Sequence, residues 1–282
     1  MALFRAVETA ERARRRLFED PYAADLLTGK LKALASFARL PAMGRTVTWF
    51  LDIGWPRTRS SAVLRTRVID DLVQQAVCAG ARQFLLLGAG FDSRPYRLPE
   101  AHSTAVFEVD HPATQRAKLE RLGQRVGSAH DHVRFVPVDF ENDDLADTLC
   151  RAGFKTEERT VAVWEGVISY LTADAVDHNF RTLARLLAPA SSLIFTYVHR
   201  GALDGSMAFA EASRWKASVG STGEPFIFGF DPAELAEYLA PRGFTLASDE
   251  STTAAAERYC GPLHRREPGS ELYRIATARR AL

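Results

Sequence analysis

Gly88-Ala89-Gly90 follows directly on the apolar run at 83–87. A Gly-x-Gly turn at the end of a strand lets the backbone pass close to a bound nucleoside, because no side chain stands between them. A dinucleotide fingerprint wants a third glycine where this chain has Ser93, with bulky Phe91 and Arg94 nearby, which weakens a nicotinamide reading. Phe107-Glu108-Val109-Asp110 is the second stretch. An acid at the end of a second strand lies about where the ribose hydroxyls of an adenosine ligand would be, and Asp110 can accept from both. Strand alternation turns Glu108 to the same side, one step deeper. The competing task for Asp110 is capping the helix that opens at Pro112. In Val138-Asp139-Phe140, Asp139 offers an acceptor for an exocyclic amine and Phe140 an apolar face for a purine ring; Asp139 could equally be an N-cap. In Trp164-Glu165-Gly166-Val167, Glu165 is a carboxylate in an apolar strand, costly to bury without a partner. A cationic ligand is one such partner and an arginine the other.

These residues need a scaffold that brings successive strand ends together. Strands are expected at 83–87, 104–109, 133–138, 161–168, 193–198 and 245–247, with a last one at 273–278. Val63, Leu64, Val68, Ile69, Leu72, Val73 and Val77 form a helical stripe that Gly80 closes. Helices are also expected at 143–152, at 174–187 and from Asp231-Pro232 to about 239. Alternating strands and helices imply parallel β-α-β units with right-handed crossovers, hence a doubly wound, mostly parallel seven-stranded α/β sheet. The N-terminal 60 residues read as a helical lid, with a polar basic helix over 8–18 and apolar spacing over 23–40. Residues 61–200 read as the ligand-binding core, 201–230 as a cap insertion rich in aromatics (Phe209, Trp215, Phe226, Phe228, Phe230), and 231–282 as closing helix and strands of the same single domain.

The 282 residues carry 46% hydrophobic and 25% charged residues, an ordinary globular composition. A formal charge of +1 offers no strong overall field for nucleic acid or membrane, so neither is expected as a partner, although a local patch is compatible with it. Cys78, Cys150 and Cys260 are scattered and show no metal-ligand spacing, which argues against a disulfide framework and a zinc site. No metal is expected, and a reduced, cytoplasmic setting is. The opening MALFRAVETAERARRR lacks the pattern of a signal peptide.

Taken together, GAGFDSRPYRL, FEVDHP and WEGVISYLT resemble the leucine carboxyl methyltransferase family, including its bacterial relatives that methylate small natural products. LFEDPYAADLL and LRTRVIDD extend the resemblance, which runs from about Thr9 to Val198 and thins beyond. It implies an S-adenosylmethionine-dependent O-methyltransferase. Gly88, Ala89 and Gly90 would line the cofactor pocket, Asp110 with neighbouring His111 would hold the ribose, and Asp139 and Phe140 would flank the adenine. Glu165 would stand near the methionine end with Tyr170 close by. Arg65 would bind the cofactor's carboxylate through its planar fork, with Arg67 as rival. Protein-methylating members carry a cofactor-binding lysine upstream of their Asp-Pro-Tyr; Glu8-Thr9-Ala10 occupy that region here, so that contact is altered.

Methyl transfer from a sulfonium mainly requires alignment of the acceptor. A carboxylate acceptor needs no base, whereas a hydroxyl gains from one, for which Tyr197 and His199 are the candidates. Arg94, Tyr96 and Arg200 are candidates for recognising an acidic acceptor. The leading expectation is O-methylation of a carboxylate or hydroxyl on a small natural-product-like molecule. Alternatives are carboxyl methylation of a peptide or protein C-terminus, a nicotinamide-dependent oxidoreductase, and a cofactor-binding partner without catalysis. Nucleic-acid methylation is disfavoured by the balanced charge and by the absence of an Asn/Asp-Pro-Pro-aromatic motif after the fourth strand.

Overall fold

The computed structural model describes residues 1–40, 43–125, 131–139, 143–209 and 225–281. Its strands are β1 (Gln83–Leu87), β2 (Ala105–Asp110), β3 (Val133–Pro137), β4 (Thr160–Trp164), β5 (Ser192–Val198), β6 (Phe244–Ser251) and β7 (Tyr273–Arg280). They form one seven-stranded sheet in the order β3-β2-β1-β4-β5-β7-β6. Strands β1 to β5 pair in parallel, and β7 runs antiparallel between β5 and β6. The order turns at β1, which lies between β2 and β4. Ligands of doubly wound sheets bind at such a reversal, outside the carboxyl ends of the strands.

Both faces of the sheet are covered, which is why its inner strands read as unbroken apolar runs. Phe84 and Leu86 point to one face, where Val63, Val68, Ile69 and Val73 of helix α4 (Thr58–Cys78) pack. Leu85 and Leu87 point to the other, against Phe107, Trp164, Phe180 and Phe195. α4 ends as expected: Ala79 caps it and Gly80, at φ 100°, makes the left-handed exit.

The N-terminal region differs from its periodicity. Helix α1 is Ala2–Thr9, and the basic stretch expected to be helical over 8–18 is turn, bend and irregular backbone past Thr9. Of 23–40, only α2 (Gly29–Ala38) is regular; α3 (Gly44–Gly54) follows it. Beyond the glycine turn come α5 (Arg94–Arg97), α6 (Pro112–Leu122), α7 (Leu145–Arg151), α8 (Ala173–Leu186) and α9 (Arg200–Asp204). α10 (Leu235–Leu239) begins later than Asp231-Pro232 suggested, because Asp231 caps a turn through the Ala233 N–H rather than the helix itself. α11 (Thr252–Cys260), capped by Ser251, was not expected. Trp215 of the aromatic insertion lies outside the described residues.

Candidate active site

The parallel register lines up the acids. Leu86 pairs with Val163 and Leu87 with Val109, so Gly88 and Glu165, just past their strands, and Asp110, the last residue of β2, stand in one row along the carboxyl edge. Asp110 pairs with Pro137, which sets Asp139 at the next strand end. Phe140 falls outside the described residues.

A chamber of about 310 Å³ lies against this row. Gly88, Ala89, Gly90, Asp92, Glu165 and Arg65 line it, together with Arg5 of α1. Gly88 (φ 64°) and Gly90 (φ 47°) are both left-handed, and a Cβ on Gly88 would stand 2.6 Å from a Val167 methyl, so glycine is demanded there by the backbone and by its neighbour. Asp110 accepts from the Gly90 N–H through Oδ2 and from the His111 N–H at 2.7 Å through Oδ1. The cap of α6 is His111, whose Nδ1 accepts from Ala113 N–H at 3.2 Å, so Asp110 is not spent on capping. Asp139 does not cap α7 either; Asp144 does. Glu108, the deeper acid, is fully buried against Lys118 at 2.7 Å and the Tyr96 hydroxyl at 2.7 Å.

Glu165 corrects one expectation, its place within the strand, and meets the second of its two expected partners. β4 stops at Trp164, because Gly166 turns the chain with φ 72°, so Glu165 stands just beyond the strand rather than within it. Its partners are arginines: Arg65 Nε donates to Oε1 at 2.8 Å and Arg94 Nη1 to Oε2 at 2.7 Å. Burial alone would raise its pKa, but Arg94 and Arg65 outweigh burial and bring it from the ordinary 4.5 down to about 2. Arg94, expected as a reader of acidic acceptors, is instead buried among Glu165, Asp70 and Asp92. Tyr96 is buried on Glu108, and Arg200 is exposed and clasped by Glu234. None of the three lines this chamber. Arg67, the rival of Arg65, turns to the Leu17 carbonyl and Asp71, away from the chamber.

Two residues whose roles sequence reasoning missed support this chamber, Arg5 in its lining and Asp20 buried behind it. Arg5 donates through Nε to Asp20 at 2.8 Å and through Nη2 to the Phe91 carbonyl, tying α1 to the glycine turn. Asp20 also accepts from the Ser93 hydroxyl at 2.6 Å and from the Tyr22 and Ala23 N–H groups. Burial would raise the Asp20 pKa; Arg5, Arg97 and Ser93 hold it below the ordinary range. The Asp-Pro-Tyr motif therefore anchors the N-terminal segment on FDSR, and a cation does stand near the N-terminus, at Arg5. Glu8 is committed to Arg265 at 2.6 Å.

A second chamber of about 270 Å³ adjoins the first, and the two share Met1, Arg65 and Gly166. Thr58, Ser61, Ala62 and Arg65, at helical spacing on α4, form one wall. Phe4, Trp55, Tyr170, Val198, Phe226 and Tyr273 supply apolar surface. Phe4 meets Trp55 edge-on at 6.4 Å, and Phe226 meets Tyr170 edge-on at 4.8 Å. Tyr170 thus belongs to this chamber. Thr196 fixes the floor by accepting the Gly166 N–H at 2.9 Å. Among the described residues the lining has no histidine, carboxylate, lysine or cysteine side chain.

Of the two candidate bases, Tyr197 lines this second chamber, but its hydroxyl donates to Asp249 at 2.9 Å. Burial first, then Asp249, pushes its pKa well above the ordinary phenol range. His199 lines neither chamber. Its Nδ1 accepts from the Gly201 N–H at 3.0 Å, capping α9, and its ring rests against Phe209. Burial lowers its pKa.

This architecture recurs in a methyltransferase structure from Thermobifida fusca, with a TM-score of 0.64 at 19% identity over 97% of this chain and 96% of that one. A protein of Frankia alni named as an S-adenosyl-L-methionine-dependent methyltransferase is 38% identical over 197 residues, 70% of this chain and 66% of its own length. One from Mycolicibacterium vanbaalenii, named likewise, is 30% identical over 295 aligned positions, 99% of this chain and 93% of its own. The fold and these relatives define the class, an S-adenosylmethionine-dependent methyltransferase. The model of the leucine carboxyl methyltransferase family matches residues 1–184, and the chain belongs to that family.

Proposed function

We propose that the protein O-methylates the carboxylate of a small, largely apolar molecule bound in the second chamber. The observation that carries this is the side-chain composition of that chamber: aromatic walls, one guanidinium at its junction with the glycine-turn chamber, and no histidine, carboxylate, lysine or cysteine side chain among its described residues. Tyrosines are protonated at neutral pH and accept protons poorly. Glu165, next door and held down to about 2, is a weak base as well. A hydroxyl acceptor has to lose its proton during transfer, whereas a carboxylate is already anionic and needs only alignment.

S-adenosylmethionine, bound in the glycine-turn chamber, supplies a methyl group on a sulfonium. Gly88, Ala89 and Gly90 would leave room for the nucleoside, Asp110 with His111 beside it would hold its ribose, and Asp139 would accept from the adenine amine. Arg65, steadied by Glu165 on its Nε edge, presents its remaining N–H groups at the junction. Arg5 adds a second cation for the amino-acid carboxylate. The apolar walls strip water from the acceptor and hold its carboxylate toward the junction.

The test is transfer of labelled methyl to a panel of aromatic and branched aliphatic acids, to the matching alcohols and phenols, and to peptides ending in a free carboxylate. The reading expects label in small acids, released as methanol by mild alkali, the behaviour of an ester. Alkali-stable ethers as the main product would refute it; labelling confined to peptides would replace the small acceptor by a C-terminal one.

A further inference from the structure

The chain's overall charge of +1 is unevenly spread. Residues 29–55, spanning α2 and α3, carry Lys30, Lys32, Arg39 and Arg45, all exposed, against a single acid, Asp52. That acid is itself neutralised, since Arg59 grips both its oxygens at 2.6 and 3.1 Å. The same segment exposes large apolar side chains: Trp49 is 62% exposed, Phe50 60% and Ile53 56%, with Leu31, Phe37 and Leu40 about half exposed on and beside α2. The inner side of α3 is already satisfied by buried Val47 and Leu51, and the outer residues stand exposed beyond the core formed by the described residues. Exposed apolar clusters of this kind mark interaction surfaces.

We propose that α2 and α3 dock in plane on an anionic phospholipid surface. Aromatic and aliphatic side chains beside lysines and arginines match the two layers of such a surface: the rings enter the headgroup–acyl boundary while the cations meet phosphates. A second copy of the chain would bring its own four cations against these, which opposes self-association through this face. No helix among the described residues is long and apolar enough to cross a membrane, so the element lies on the bilayer rather than spanning it. α3 leads directly into Trp55 of the second chamber, so the docked element borders the space assigned to the acceptor. The docking does not depend on the acceptor's identity.

The experiment is co-sedimentation of the full chain with vesicles of phosphatidylcholine alone and of phosphatidylcholine mixed with phosphatidylglycerol. Binding is expected only to the anionic vesicles. K30Q/K32Q lowers the partition coefficient about twenty-five-fold, each cation near such a surface contributing about fivefold. W49S/F50S abolishes binding. Both variants keep the wild-type melting temperature and S-adenosylmethionine affinity; should W49S/F50S unfold, K30Q/K32Q still decides. The proposal is overturned by absence of binding to anionic vesicles at low salt, or by equal binding to neutral vesicles. It is also overturned by a dimer that W49S/F50S dissociates, or by capture of an acidic protein through this face, where vesicles do not bind.

Discussion

Replacing Glu165 by glutamine removes the charge that joins Arg65 to Arg94 while keeping the side chain's size. Glu165 is 17% exposed, and both its oxygens take guanidinium N–H groups. Its pKa of about 2, against the ordinary 4.5, corresponds to about 3 kcal/mol of folding stability at neutral pH. Breaking a buried ion pair costs about 3–5 kcal/mol, so the two routes agree at the lower end, as expected when Arg94 keeps Asp70 and Asp92. The sign follows from the depressed pKa: the contribution is complete above 4.5 and fades as pH falls toward about 2. Urea unfolding of the wild type and E165Q across this range measures it. At pH 7 the variant loses about 3 kcal/mol, or roughly 6–10 °C of melting temperature. The difference shrinks steadily below pH 4.5. Asp20 and the other carboxylates titrate in both proteins and cancel from the comparison. A difference that is absent at pH 7, or one that stays constant down to pH 2, would refute the reasoning.

Asp110→Ala removes the carboxylate proposed to hold the ribose and leaves the Gly90 and His111 N–H groups without their Asp110 acceptor; calorimetry should show the S-adenosylmethionine Kd rising about 100-fold. Gly88→Ala forces a left-handed alanine, costing about 1–2 kcal/mol, and drives its Cβ into Val167; adding Val167→Ala relieves the collision but not the backbone strain, so melting temperature recovers only in part. Tyr197→Phe loses one hydrogen bond, about 1 kcal/mol, while Asp249 keeps Arg274; kcat stays near wild type, whereas loss of a true general base costs about 10²–10⁴-fold. His199→Ala removes the cap of α9, with a comparable cost in stability and no change in the pH profile of kcat.

Much of the fold was legible because parallel strands buried on both faces leave apolar runs, unbroken in Phe84–Leu87 and interrupted only by Thr196 in Leu193–Val198. The acids at the strand ends were legible for a related reason: a carboxylate that closes an apolar strand is conspicuous. What they touch was not. Glu165 meets Arg65 and Arg94, 100 and 71 residues away, and no local pattern announces such pairings. Arg5 carried no signal, since a lone arginine on a short amphipathic helix reads as solvated; the signal was in Asp20-Pro21-Tyr22, whose carboxylate organises Arg5 and Ser93. β4 was read four residues too long because Val167 and Ile168 continue its apolar texture past the turn at Gly166. α11 was missed because Ser251-Thr252-Thr253 favours a strand until the three alanines that follow tip it to helix.

The most direct test of the account is a crystal structure of the protein with S-adenosylhomocysteine. The account predicts the adenosine beside Gly88 and Gly90 with both ribose hydroxyls on Asp110, the amino-acid carboxylate between Arg5 and Arg65, and the sulfur facing the aromatic chamber at Gly166. A nucleoside seated away from the carboxyl ends of β1 and β2, or a sulfur turned away from that chamber, would contradict it.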